Sequence, residues 1–151
     1  MLNYGLVGLG NLGEKIARNL MKKGFVVKVF DKDQAKINEL TKIGAIASLS
    51  PAQAAEDVDG LITCLPSPKI STEVMIGEDG AIGKMKQGST WIETSTTDIK
   101  DLQLVAKIAG KQNIKTIEAP VTGGVHRAEK GIITVLVGAE KENFLDHEEA
   151  I

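Results

Sequence analysis

The sequence predicts an α/β domain with a doubly wound, mostly parallel sheet, and three observations carry that expectation. Short β-branched runs alternate with longer apolar stripes at helical spacing, the pattern of βαβ units. Glycine, proline or a capping residue stands at most junctions between them. The 151 residues, 42% apolar and 25% charged, are enough for one core to hold without a disulfide or a metal.

The first run, Tyr4-Gly5-Leu6-Val7, is a strand that meets glycines at once. Leu12, Ile16 and Leu20 then recur at every fourth residue beside Ala17 and Met21, which predicts a helix. It ends at Lys22-Lys23-Gly24, where cations face the negative end of the helix dipole and glycine suits the closing turn. Residues 25–30 form a second strand, and Asp33 caps a helix carrying Ile37, Leu40 and Ile43 that Gly44 closes. A short strand at 45–47 leads to Ser50-Pro51, a cap followed by proline at the first helical position. The fourth strand, 60–65, is stopped by Pro66 and Pro68. From Ile70 to Lys86 the pattern weakens to a short helix and a glycine-rich turn over 77–83, before a fifth strand at 89–92. Asp98 and Asp101 open an amphipathic helix with Ile99, Leu102, Val105, Ala106 and Ile108 that runs to Gly110. Strands at 115–119 and 132–137 follow, and an acidic helix begins at Glu140.

Charge and cysteine usage exclude several classes. Eighteen basic and twenty acidic residues give a net charge of −2 without a block of like charges, which speaks against a nucleic-acid partner. The single cysteine, Cys64, makes no internal disulfide, and with His126 and His147 it makes no cysteine-rich zinc site. A cytoplasmic location is expected. No basic leader, lipidation signature or apolar stretch of membrane-spanning length is present, so neither secretion nor a membrane partner is expected. Cys64 reads as packing, Trp91 as core and His147 as surface.

Gly8-Leu9-Gly10-Asn11-Leu12-Gly13 is a G-x-G-x-x-G run between a strand and the opening turn of a helix. In that position the first glycine permits the tight turn, the second lets the backbone approach a pyrophosphate, and the third lets helix and strand pack closely. A plain glycine-rich turn is the alternative, and the strand–turn–helix context argues against it. Asp31 ends the second strand 23 residues after Gly8, where a carboxylate accepts from the adenosine ribose hydroxyls and repels a 2′-phosphate. NAD is therefore expected ahead of NADP, although the ammonium of Lys32 weakens the discrimination. These features make the expected fold Rossmann-type.

Four motifs then stand in one order: Gly8 to Gly13, Leu65-Pro66-Ser67, Glu93-Thr94-Ser95-Thr96, and Glu118-Ala119-Pro120-Val121-Thr122-Gly123-Gly124. Together they resemble the N-terminal NAD-binding domain of the β-hydroxyacid dehydrogenases, the family of 3-hydroxyisobutyrate dehydrogenase, tartronate semialdehyde reductase and 6-phosphogluconate dehydrogenase. The likeness covers residues 1–151. It implies hydride transfer between a nicotinamide cofactor and a short β-hydroxyacid or its semialdehyde. It also implies that Leu65 and Pro66 lie along the cofactor and that Thr96 reaches toward the nicotinamide side. Thr122, Gly123 and Gly124 are implied to hold the substrate carboxylate.

Two departures stand out. Thr122 replaces the family's usual serine, keeping the hydroxyl, and Val125-His126-Arg127-Ala128 replaces a second glycine-alanine pair. Arg127 or His126 is a candidate for tuning the substrate toward a more acidic molecule, with a solvated loop charge as the alternative. The resemblance further implies a homo-oligomeric complete enzyme whose proton donor is a lysine of an all-helical C-terminal domain, in a glycine-rich stretch that these 151 residues do not contain. No catalytic residue and no metal ligand is expected within this chain. The rival readings are a non-catalytic dinucleotide-binding or sensor module and another Rossmann reductase linked to NADP.

Overall fold

The structure, a computed structural model, describes residues 2–151. Strands β1 (Asn3–Val7), β2 (Val26–Phe30), β3 (Ile46–Ala47), β4 (Gly60–Thr63), β5 (Thr90–Glu93) and β6 (Lys115–Glu118) form a parallel sheet. Their order is β3-β2-β1-β4-β5-β6. The chain starts at mid-sheet, winds to one edge, returns beside β1 and winds to the other. The direction of winding thus reverses between β1 and β4, which leaves a crevice beyond their carboxyl ends.

Parallel strands are covered on both faces, which is why β4 and β5 are buried along their whole length. On one face, α1 (Gly13–Lys22) and α2 (Gln34–Thr41) bury Ala17, Leu20, Ile37 and Leu40 against Leu6, Val29 and Ile92. On the other, α3 (Pro51–Ala55), α4 (Pro68–Ile76), a 3₁₀ turn at Ala81–Lys84 and α5 (Ile99–Lys111) enclose Leu61, Met75, Trp91 and Val105. Each such aliphatic side chain contributes about 1.5–3 kcal/mol by leaving water. The expected caps form: Asp33 Oδ1 accepts from Ala35 N–H at 3.0 Å, Ser50 Oγ from Gln53 N–H at 3.1 Å and Asp98 Oδ1 from Lys100 N–H at 2.8 Å. Strand ends shift from their expected positions by a residue or two.

The expected strand at 132–137 needs correction. Only β8 (Thr134–Val135) forms there, and it pairs antiparallel with β7 (Val121–Thr122) in a separate two-stranded ribbon, which an antiparallel bridge between Glu118 and Gly138 ties to the end of β6. Pro120 has no amide to donate to a continuing ladder, and its carbonyl instead accepts from Leu136 N–H at 2.9 Å. Ile132, Leu136 and Val137 remain exposed. A five-residue helix, α6 (Val125–Glu129), lies between the two short strands. The final helix, α7 (Lys141–His147), begins where the acidic helix was expected.

His147, expected at the surface, is buried and 4% exposed. Tyr4 Oη lies 2.9 Å from Nδ1 and Thr90 Oγ1 lies 2.8 Å from Nε2, so one ring nitrogen donates and the other accepts. Lys115 Nζ meets Asp146 Oδ2 at 2.9 Å beside it, and the three contacts pin α7 to the amino ends of β1, β5 and β6. Burial holds the imidazole below its ordinary value of 6.5. The neutral ring is therefore the folded form: its contribution is complete above about pH 6.5 and is lost as pH falls through the lowered folded value. His147→Gln is expected to cost about 1–3 kcal/mol at neutral pH. It should also flatten the fall of Tm on acidification, followed by thermal melts from about pH 7.5 to 5. An unchanged slope would place the acid sensitivity elsewhere.

Candidate functional site

A cleft of about 650 Å³ opens at the carboxyl ends of β1 and β4. Gly8 closes its base, because its φ of +97° suits the turn and a Cβ there would stand 2.2 Å from the Cys64 carbonyl oxygen. Gly13 lets α1 settle on that turn, since its Cβ would stand 1.9 Å from the Gly8 carbonyl oxygen. Gly10 differs from both: nothing lies within 4 Å of where its Cβ would be, and it lines the cleft. Among the described residues, the amides of Gly10, Asn11 and Leu12 have no backbone carbonyl partner. The α1 N-cap, Leu12, supplies no side-chain cap. Uncommitted donors and the positive end of a ten-residue helix thus meet open space, and this cradle fits a pyrophosphate.

Asp31 stands at the end of β2 and lines the same cleft. Its Oδ2 accepts from Leu9 N–H at 2.6 Å and its Oδ1 from Asp33 N–H at 2.8 Å, so it also ties the glycine turn to β2. Each oxygen keeps capacity for a further donor. Leu9 itself is not in the cleft wall. Its side chain is core, and only its backbone serves the site. Lys32 lines the cleft, as does Lys36 in the first turn of α2, which sequence reasoning missed. Its signal was a cation at the start of a helix, where the dipole disfavours one.

The opposite wall comes from the loops after β4 and β5. Leu65, Pro66 and Thr96 line it with Cys64, Thr94, Ser95 and Val121. Leu65 N–H donates to Ser95 Oγ at 2.8 Å, which stitches the two loops together. Burial pushes the Cys64 thiol above its ordinary range, the reverse of what a nucleophile needs. Glu93, quoted within a motif but given no role, is fully buried, and burial raises its carboxyl as well. An acid ending the otherwise uncharged Thr90-Trp91-Ile92 stretch was its signal.

Thr122, Gly123 and Gly124 are not in the wall; they continue from Val121, which is. Gly123 and Gly124 are exposed, with φ of +116° and +81°. Arg127 Nε donates to the Ile132 carbonyl at 3.2 Å and its stem packs over Gly123, so its immediate task is to brace this loop. His126 is exposed. Among the described residues, no three His, Cys, Asp or Glu side chains are grouped to hold a metal, and no helix is long and apolar enough to cross a membrane.

Against known proteins, the sequence profile of the NAD binding domain of 6-phosphogluconate dehydrogenase matches residues 3–151. Mitochondrial 3-hydroxyisobutyrate dehydrogenase of Mus musculus is 37% identical over 147 residues, which are 97% of this chain and 44% of that protein. The 2-(hydroxymethyl)glutarate dehydrogenase of Eubacterium barkeri is 33% identical over 143 residues, 95% of this chain and 48% of that one. The crystal structure of 3-hydroxyisobutyrate dehydrogenase from Salmonella typhimurium superposes with a TM-score of 0.93 at 28% identity, over 99% of this chain and 52% of that one. The chain thus spans about half the length of the relatives it matches. With the parallel order of its strands, its glycine cradle and a profile match over nearly all its residues, the chain belongs to the family of the NAD binding domain of 6-phosphogluconate dehydrogenase.

Proposed function

We propose that this chain is the cofactor-binding half of an NAD-dependent dehydrogenase that acts on a short β-hydroxyacid or its semialdehyde. The observation that carries the reading is one cleft in which the open Gly10 cradle, Asp31 and the Leu65-Pro66 loop converge. In this reading the free amides of Gly10, Asn11 and Leu12 hold the pyrophosphate, the turn of Gly8, Leu9 and Gly13 shapes the cradle around it, and Asp31 accepts from the adenosine ribose. Its carboxylate repels a 2′-phosphate, so NAD is preferred to NADP despite Lys32 and Lys36. Leu65, Pro66 and Thr96 flank the nicotinamide half and exclude water from one side of the ring. When bound, the nicotinamide supplies or accepts the hydride, and the chain's own work is orientation.

Thr122, Gly123 and Gly124 hold the substrate carboxylate, with a hydroxyl and two unobstructed amides as donors. The names of the relatives support a hydroxyacid substrate. Proton transfer falls to a lysine of an all-helical second domain in a longer, homo-oligomeric enzyme, and a cytoplasmic setting suits its single thiol. The purified chain, assayed with NAD and 3-hydroxyisobutyrate, is expected to bind cofactor without measurable turnover. A dehydrogenase rate from this chain alone would contradict that division of labour. A folded chain that binds neither NADH nor NADPH would remove the function itself.

A further inference from the structure

A buried polar cluster lies behind the nicotinamide wall of the cleft, and cofactor binding as described makes no direct use of it. Glu93, at the end of β5, has no exposed surface. Its Oε1 accepts from Ser95 N–H at 2.9 Å, and its Oε2 accepts from the hydroxyl of Ser71 in α4. Ser95 Oγ in turn accepts from Leu65 N–H at 2.8 Å. Ser71 is placed between Ile70 and Val74, two residues of α4 that line the cleft. One carboxyl therefore meets α4, the loop after β5 and, through Ser95, the loop after β4. Burying such a group is costly unless its bonds are made, and an apolar side chain of similar size would fill the space at lower cost. Its three connections lead to wall segments on one side of the cleft, away from the glycine turn and Asp31.

We propose that Glu93 is a positioning residue for the nicotinamide half of the cofactor, fixing Leu65, Ser95 and α4 at the separation that the ring requires. This rests on the dinucleotide reading of the cleft. A carboxyl in this position acts through hydrogen bonds rather than net charge, so glutamine is a close substitute: its carbonyl serves Ser95 N–H and its amide reaches Ser71 Oγ.

The test is equilibrium binding of NADH and of ADP-ribose, which lacks the nicotinamide, to the wild-type chain and its variants. Thermal melts monitored by Trp91 emission report folding. Glu93→Ala is expected to weaken NADH about tenfold or more, since it orphans a buried amide and a hydroxyl. ADP-ribose should stay within about twofold, as distant sites add independently. Glu93→Gln should keep NADH within about threefold of wild type. Equal losses for both ligands in Glu93→Ala, no loss of NADH, or Glu93→Gln as damaging as Glu93→Ala would each overturn the proposal. Should Glu93→Ala not fold, Ser71→Ala must show the same selective weakening of NADH, by about threefold, and equal losses there would overturn it too. A wild-type chain that binds neither ligand would instead fail the dinucleotide reading.

Discussion

One methyl group at Gly13 is expected to abolish dinucleotide binding. Gly13→Ala should weaken NADH by about a hundredfold or more and lower stability by about 1–3 kcal/mol, the cost of overpacking a tight contact. Helix propensity alone favours alanine by about 1 kcal/mol, so the sign of the stability change is diagnostic. The steric effect wins because the new Cβ would lie 1.9 Å from the Gly8 carbonyl oxygen and 3.0 Å from its carbon, both backbone atoms. Relief requires α1 to lift from β1, and the donors of the cradle move with it. Gly10→Ala separates the two effects. Its Cβ meets nothing within 4 Å, so Tm should hold while the methyl occupies the space the pyrophosphate needs. NADH should weaken about tenfold there, a loss worth ~1.4 kcal/mol. Paired thermal melts and NADH titrations read both variants, and Gly13→Ala binding as wild type would refute the assignment of the turn.

Asp31→Ser is expected to invert cofactor choice. Among the described residues, the carboxylate is the one acidic side chain in the cleft wall, with Lys32 and Lys36 beside it. Its removal takes away charge-assisted acceptors worth about 1.5–3 kcal/mol each and leaves both ammonium groups free to meet a 2′-phosphate. The ratio of NADH to NADPH affinity should fall about thirtyfold or more. Both affinities fall somewhat as well, because Leu9 N–H loses the partner it holds at 2.6 Å. The ratio is thus the informative quantity, measured by titrating each nucleotide against variant and wild type. A ratio that does not change would take ribose recognition away from Asp31.

Much of the cleft was legible in the sequence because its constraints are local. Gly8, Gly10 and Gly13 sit in one turn, and Asp31 is reached by the strand that hydrogen-bonds beside β1. What was misread depended on distant partners. The burial of His147 is set by Tyr4 and Thr90, 143 and 57 positions away, which no helical pattern near Glu140 encodes. Glu93 depends on Ser71, 22 residues upstream. The apolar run at 132–137 fits a sheet strand by composition, and only the missing amide of Pro120 and the formation of α6 turn it into a side ribbon. Ser67-Pro68 is a different failure. It opens α4 with the same cap-and-proline signature as Ser50-Pro51, Ser67 Oγ accepting from Ile70 N–H at 3.3 Å, yet beside Pro66 it reads as the stop of a strand.

One dinucleotide is expected to lie across the crevice between β1 and β4, and a two-dimensional amide NMR spectrum of the chain titrated with NAD would show it. Saturable shifts are expected at Gly10, Asn11 and Leu12, accompanied by Asp31 on one side and Leu65 and Thr96 on the other. Shifts that miss the glycine cradle, or a spectrum that NAD leaves unchanged, would contradict it.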